Sequence, residues 1–341
     1  FFTRWITYLC APIFVFLAGT SAYLSFKNKN NISQSRNFLL KRGVWLIVLE
    51  FTLVNFALFF DVRFSMFIFE VIAAIGFGFI ILSLMIKLSA RTIAITGLII
   101  ILCHNLFALI PFAEGSTLKP VLTPLFSLTA IPLNANTVFV MAYPPIPWLG
   151  IMLAGFACGK LFELEAAKRK TLFIKIGLSA LLLFIVIRFI NIYGDTVQWY
   201  AQKNTLYTFL SFMNITKYPP SLLFCLITLA LMFLMLSIAE RANSSVTQIF
   251  IVYGNVPLFY FLIHFFLIHL TMIVLMLLQG FNWSQLDFAS GNLGRPKGVQ
   301  SGVGLTLIYL IWIAIVIALY KPCQWYGEYK AGSKQWWLKY L

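Results

Sequence analysis

Long apolar runs separated by short polar punctuation fill almost the whole chain. The clearest, Val303–Tyr320, reads VGLTLIYLIWIAIVIALY without one charge. About twenty apolar residues span a hydrocarbon core roughly 30 Å thick. Eight more runs predict spans over Trp5–Phe26, Val44–Phe60, Met66–Ile86, Thr92–Phe112, Ala142–Leu161, Leu172–Ile192, Ser221–Ala239 and Val256–Leu278. Inside lipid every backbone amide must pair within its own helix or within a closed barrel. Barrel strands alternate apolar and polar positions over about ten residues. These runs are apolar on every face for about twenty, so helices are predicted. The expected fold class is all-α, a polytopic transmembrane helical bundle of about nine spans. The leftover pieces 113–141, 193–218 and 280–302 are each too short for a core of their own.

Composition agrees with that pattern. A chain that is 61% hydrophobic and 10% charged has too little polar surface for a soluble fold. Charge placement then predicts orientation. Most basic residues fall in alternate connections: Lys27, Lys29, Arg36, Lys41 and Arg42; Lys87 and Arg91; Lys160, Lys168, Arg169, Lys170 and Lys175; Arg241; and Lys321, Lys330, Lys334 and Lys339. The positive-inside rule makes that set cytoplasmic, with Phe1 outside and Leu341 inside. Eight basic residues remain for the outer side or the spans: Arg4, Arg63, Lys119, Arg188, Lys203, Lys217, Arg295 and Lys297. The net charge of +15 is thus a topology signal and a contact for anionic lipid. No basic stripe carries a nucleic-acid motif, so nucleic acid is excluded as a partner. The lipid bilayer is the expected partner, and association into homo-oligomers stays open. An odd number of spans with the N-terminus outside implies a further helix before Phe1, missing from this sequence.

The long connections are all expected outside, and they carry aromatics suited to stacking on a sugar ring: Tyr143, Trp148, Tyr193, Trp199, Tyr200 and Trp283. Interfacial Trp and Tyr belts are the alternative reading of each. Five scattered cysteines without a C-x-x-C pair suggest neither a disulfide framework nor a zinc site. Cys10 is the one thiol weighed as an acyl-accepting nucleophile.

Chemistry must come from the few ionisable groups at membrane depth, where a charge costs roughly 2.5–3.5 kcal/mol. These are Glu50, Glu70, His104, Arg188, His264 and His269. At about 1.5 Å per residue from the cytoplasmic ends, His104 lies about 18 Å in, His264 about 12 Å and His269 about 19 Å. Each histidine has a bland reading as a hydrogen-bonding strut between helices. His264 and His269 lie about 140° apart around one helix, so they form no i, i+4 metal pair, and no metal is expected. Arg188 leads into a polar cluster of Asn191, Tyr193, Gly194 and Asp195.

Several ordered pieces resemble one family. They are the opening FFTRWITYLCAPIFVFLAGTSAYL, the His104–Asn105 pair, YPPIPWLGIMLAG (143–155), RFINIYGD (188–195) and TKYPPSLL (216–223). GNVPLFYFLIHFFLIH (254–269) and the terminal WWLKYL (336–341) fit as well. Together they resemble bacterial membrane proteins related to heparan-α-glucosaminide N-acetyltransferase, within the transmembrane acyltransferase superfamily. Residues 1–341 then read as a single transmembrane acyltransferase-like domain. The resemblance implies a bacterial inner-membrane enzyme with a cytoplasmic C-terminus. It would move an acetyl group from cytosolic acetyl-CoA to an amino sugar or other glycan acceptor on the opposite side, with a histidine central to the chemistry. The chain departs from the family in two respects. The family has an earlier helix ending in an Asp-His motif, and its opening motif commonly has His where Tyr8 stands here.

The residues suit such chemistry. A neutral imidazole can accept a proton from an attacking amine or hydroxyl, which makes His104 or His269 the expected general base. Asn105 or Arg188 can stabilise charge on the thioester oxygen in a dry site. Arg188, Asn191, Asp195, Trp148 and His264 are the expected acceptor-side residues. Lys160, Lys168, Arg169, Lys170 and Arg241 are candidates for the CoA phosphates. Two other classes compete. A transporter or flippase for a glycan or lipid precursor suits the proline-broken helices, and a haem protein could use His104 and His269 as axial ligands.

Overall fold

The computed structural model describes residues 2–29, 31–289, 291–335, 337 and 338. Phe1 and Leu341, Lys339 and most of the terminal WWLKYL motif lie outside the described residues. Each predicted span contains a helix. α1 (Phe2–Lys29) is followed by α2 (Ile32–Leu49), which runs through a π-helical turn (Glu50–Val54) into α3 (Asn55–Phe59). Then come α4 (Val71–Met85), α5 (Ala90–Cys103) with a 3-10 turn at His104–Leu109, α6 (Leu118–Phe126) and α7 (Pro145–Cys158). α8 (Ala166–Ile190), α9 (Thr205–Phe212), α10 (Leu222–Ala239), α11 (Ser245–Asn255), α12 (Pro257–Leu278) and α13 (Leu305–Gly332) complete the chain. Eight helical segments among the described residues are long and apolar enough to cross a membrane. The protein is an integral membrane protein of all-α class.

Two expectations need correction. The third predicted span begins as a strand, β1 (Met66–Phe69), and its helix α4 has only 15 residues, about 22 Å. Glu70 therefore leaves the interior of a span and takes the N-cap position of α4. The connection 113–141 is not featureless either. It holds α6 and a hairpin of β2 (Thr129–Asn134) and β3 (Thr137–Met141). The hairpin turns where the Asn134 carboxamide oxygen accepts the Asn136 amide at 2.8 Å. The alternation that marks such strands lies hidden between apolar neighbours.

The chain divides into two compact units. The first comprises residues 1–47, 69–130 and 140–241, and the second 48–68, 131–139 and 242–341. The first is organised around α7, whose Trp148, Ile151, Met152 and Leu153 are wholly buried. Small residues let neighbouring backbones close on it, as in membrane helix pairs generally. A Cβ on Gly155 would come within 2.0 Å of the Phe16 carbonyl oxygen of α1, and one on Gly19 within 2.1 Å of the Met152 carbonyl oxygen. Thr20 also donates to the Gly155 carbonyl at 2.9 Å. α8 pairs with α10 and leaves Leu178, Leu182 and Val186 exposed at four-residue spacing. Lipid is the solvent for such a stripe.

In the second unit, α11, α12 and α13 pack around Val256, Leu319, Cys323 and Tyr326. The small sheet has the order β1-β3-β2. Asn55 of α3 secures its first strand, donating to the Met66 carbonyl at 2.9 Å and accepting from Ile68 N–H at 3.1 Å. Burial pushes the Asp61 carboxyl up. Hydrogen bonds from Ser65 and from the Arg63 amide outweigh that and hold it below the usual carboxylate range.

Candidate active site

A cavity of about 450 Å³ opens at one end of the first unit. Arg4, Thr7 and Tyr8 line it from the first turns of α1, and Val197 and Asn214–Tyr218 from the segments between α8 and α10. Residues three and four apart share a helix face, which presents Arg4, Thr7 and Tyr8 together. The Arg4 guanidinium donates to the Tyr8 hydroxyl and lies 5.1 Å from its ring centre. That hydroxyl donates in turn to the Ile215 carbonyl at 3.1 Å. Lys217 holds its ammonium 5.0 Å from the Tyr218 ring and 3.3 Å from the Thr7 carbonyl. Among the described residues no Asp or Glu lines the cavity. It is a cationic pocket with aromatic and hydroxyl walls.

Several residues singled out from the sequence build the wall of this pocket rather than its surface. His104 Nε2 lies 2.8 Å from the Pro220 carbonyl oxygen, and Nδ1 2.9 Å from that of Ile100. A neutral imidazole has one N–H and can serve only one of two carbonyls. Either way, both ring nitrogens face the protein's own backbone. Asn105 accepts the Leu222 amide at 2.9 Å, satisfying one of the unpaired donors at the start of α10. Ser221 caps the same helix by accepting the Phe224 amide at 3.1 Å and gives its own proton to Asp195 at 2.6 Å. Asp195 also accepts the Thr216 amide and hydroxyl at 2.9 and 2.8 Å and the Val197 amide at 2.8 Å.

Arg188 is 1% exposed and spends its fork on four carbonyls of the adjoining loop. It donates to Phe212 at 2.8 Å, Val197 at 2.8 Å, Ser211 at 3.0 Å and Asn214 at 2.8 Å. Asn191 ends α8 in the left-handed region (φ 58°), where a short amide side chain is tolerated. Its carboxamide donates to the Trp199 carbonyl at 2.8 Å and accepts the Trp199 amide at 3.1 Å. The RFINIYGD motif is thus a clamp that shapes residues 195–216, four of which line the pocket. Trp148 needs correction as a loop aromatic: it lies inside α7 with no exposed surface, its ring 4.7 Å from that of Tyr143. Tyr143 reaches the pocket wall through the Tyr218 hydroxyl, at 3.3 Å.

In the second unit, His269 presents Nε2 to the Leu58 carbonyl at 2.5 Å and stacks on Phe60, centroids 4.7 Å apart. Its Nδ1 is buried without a partner among the described residues. His264 faces the carbonyls of its own preceding turn, Tyr260 and Phe261, and stacks on Tyr260 at 5.2 Å.

The expected CoA cations gather at the opposite end of the first unit. Arg169 is already committed: it grips Glu240 in a bidentate pair at 2.5 and 2.6 Å and gives its remaining nitrogen to the Phe162 and Leu164 carbonyls. Hydrogen bonding from Arg169 holds the Glu240 carboxyl below the usual carboxylate range, against a smaller opposing effect of burial. Lys168 lies 3.7 Å from Glu165. Lys160, Lys170 and Arg241 make no ion pair among the described residues, and Lys160 and Arg241 are exposed. No group of three or more His, Cys, Asp or Glu suited to a metal occurs among the described residues.

The pocket cations were hidden from sequence reasoning, although a signal existed. Arg4 and Lys217 both belong to the basic residues left over once the cytoplasmic set is removed. A cation that violates the topology bias has some other reason to be there.

Comparison with known proteins returns one family. The model described as heparan-alpha-glucosaminide N-acetyltransferase, catalytic, matches residues 1–193. No curated protein and no solved structure matches.

Proposed function

Because the chain belongs to the heparan-α-glucosaminide N-acetyltransferase family, a family of membrane acetyltransferases, we propose that it carries an acetyl group from cytosolic acetyl-CoA to an amino sugar or glycan outside. The cationic, aromatic-walled pocket is the observation that carries this reading. It lies at the end of the first unit that the charge pattern assigns to the outer face. That assignment sets the C-terminus in the cytoplasm, as in a bacterial inner membrane.

Tyr218, 40% exposed, offers a face for a sugar ring, and Asn214, Thr216 and Thr7 offer hydrogen-bonding groups. Arg4 and Lys217 disfavour an added positive charge, so an amine bound between them is biased to its neutral, nucleophilic form. At the other end, Lys160, Lys170 and Arg241 provide unpaired cations for the CoA phosphates. Arg169 serves there as a positioning residue, since Glu240 and two carbonyls occupy its donors. His104, Asn105 and Asp195 hold the Thr216–Leu222 wall, and Arg188 holds the Ser211–Asn214 segment that leads into it. Of the two histidines considered as bases, His269 keeps an unengaged ring nitrogen and His104 does not.

The test is thiol release from acetyl-CoA by the purified chain when glucosamine is supplied. Acetyl-CoA should also raise the melting temperature, because a ligand specific for the folded state stabilises it by mass action. Charge reversal at Lys217 should abolish turnover with glucosamine while leaving the acetyl-CoA shift intact. Uptake of a glycan into liposomes without thiol release would assign a transporter instead.

A further inference from the structure

Among the described residues the acceptor pocket has no histidine and no carboxylate on its surface, yet an attacking amine must lose a proton there. One pocket group has a route inward. The Tyr218 hydroxyl lines the cavity and meets the Tyr143 hydroxyl at 3.3 Å. Tyr143 is 6% exposed, and its backbone amide donates to the Phe69 carbonyl at 3.0 Å. That bond brings Tyr143 alongside Glu70, the N-cap of α4, whose carboxyl lies within electrostatic reach of both the Tyr143 hydroxyl and the Lys217 ammonium. Cys10 of α1 faces the same cluster, in reach of Tyr143 and Lys217. Among the described residues, no hydrogen-bond donor holds the Glu70 carboxylate. A carboxylate at a helix N-terminus ordinarily caps the first turn, and here the side chain makes no cap hydrogen bond.

We propose that Glu70 is the proton acceptor for the acceptor-side step, reached through Tyr218 and Tyr143. The inference rests on the acetyl-transfer reading above. As the acceptor nitrogen bonds to the acyl carbon, the carbon–sulfur bond of the thioester breaks and CoA leaves as thiolate. The nitrogen's proton passes to the Tyr218 oxygen while Tyr218 passes its own to Tyr143, and Tyr143 passes one to Glu70 through a water molecule between them. The thiolate takes a proton from the aqueous phase, and Glu70 releases its proton to the pocket water. The sum is amine plus thioester giving amide plus thiol. Two phenols in series suit this because each is donor and acceptor at once. Burial pushes the Glu70 carboxyl up to about 7, against the smaller opposing pull of the Lys217 ammonium, so it takes up and releases a proton near neutral pH. Glu70 touches no substrate in this scheme, so it acts through the tyrosines.

The test compares wild type, Glu70→Gln, Glu70→Asp, Tyr143→Phe and Tyr218→Phe, using acetyl-CoA and glucosamine. Glu70→Gln should lower kcat about 100-fold, the ordinary contribution of general base catalysis, with the KM for glucosamine changed less than threefold. Its rate should also lose the acid-side fall that the wild type shows as pH drops and the carboxylate is protonated. Glu70→Asp should restore most of the rate with a displaced acid limb, and Tyr143→Phe should match Glu70→Gln. The acetyl-CoA melting shift, intact in every variant, certifies the fold. A Glu70→Gln protein with wild-type kcat and an unchanged pH profile overturns the proposal while leaving the acetyltransferase reading in place. A wild type that transfers nothing to glucosamine yet binds acetyl-CoA overturns the acceptor assignment, and the relay with it.

Discussion

Arg169 and Arg188 stand near opposite ends of the same helix, α8, and answer the same problem differently. Arg169 meets a carboxylate: Glu240 closes a bidentate pair at 2.5 and 2.6 Å, and two carbonyls take what is left. Arg188 hydrogen-bonds only to backbone, to the Ser211 and Phe212 carbonyls at the C-terminal end of α9 and to those of Val197 and Asn214 in the irregular segments beside it, and is 1% exposed. A guanidinium offers five donors in a rigid fork. At the first end the fork ties two helices by charge. At the second it ties the end of α9 to the irregular segments that flank it. Both residues read from sequence as ligand-binding cations, and in both the protein itself is the ligand.

The comparison breaks most readily at Arg188. Arg188→Met strips four carbonyls of their guanidinium donor, an expected loss of roughly 3–5 kcal/mol, seen as a lower melting temperature in detergent and as collapse of acceptor turnover. Arg188→Lys should recover less than half of that, because an ammonium lacks the planar fork; full recovery would show that charge, not geometry, is what the loop needs. Asp195→Ala, which removes four accepted hydrogen bonds from the same loop, should cost about 2–3 kcal/mol and raise the KM for glucosamine without altering the acetyl-CoA melting shift. At the other end Glu240→Gln should cost only about 1 kcal/mol, since the pair lies near water and Arg169 keeps its two carbonyls. A larger effect there on acetyl-CoA affinity than on stability would move Arg169 from a brace to a phosphate contact.

The mildest test is pH. The Glu240 carboxyl is lowered by its hydrogen bonds from Arg169, so its stabilisation is fully present above the ordinary glutamate pKa, about 4.3, and fades as pH falls through the lowered folded value. Melting temperatures between pH 6 and pH 3 should show an acid-side decline that Glu240→Gln lacks. Arg188 predicts no counterpart, because its partners are carbonyls and do not titrate.

How much of this was legible depends on range. Helix starts carry local signals: Ser89, Asn204 and Ser221 each accept an amide three residues on, and Pro145 opens α7. Glu70 was misplaced for a related reason. The run Met66–Ile86 is apolar throughout, and hydropathy does not separate a buried strand from the first turn of a helix. His104 and Asn105 stood out rightly as unusual for a span, yet their partners Pro220 and Leu222 lie more than a hundred residues away. Trp148 was read as an outer-loop aromatic, but α7 is the hub of its unit and Pro145 and Pro147 belong to the first turn of a buried helix.

What the chain by itself determined is its solvent. Backbone amides in hydrocarbon leave helices as the outcome for long apolar runs, and the distribution of Lys and Arg predicts an orientation for them. Tertiary structure alone decided which polar groups are free to act. A guanidinium or imidazole is a site only if the fold leaves its donors unspent, and that depends on carbonyls and carboxylates brought near it from distant parts of the chain.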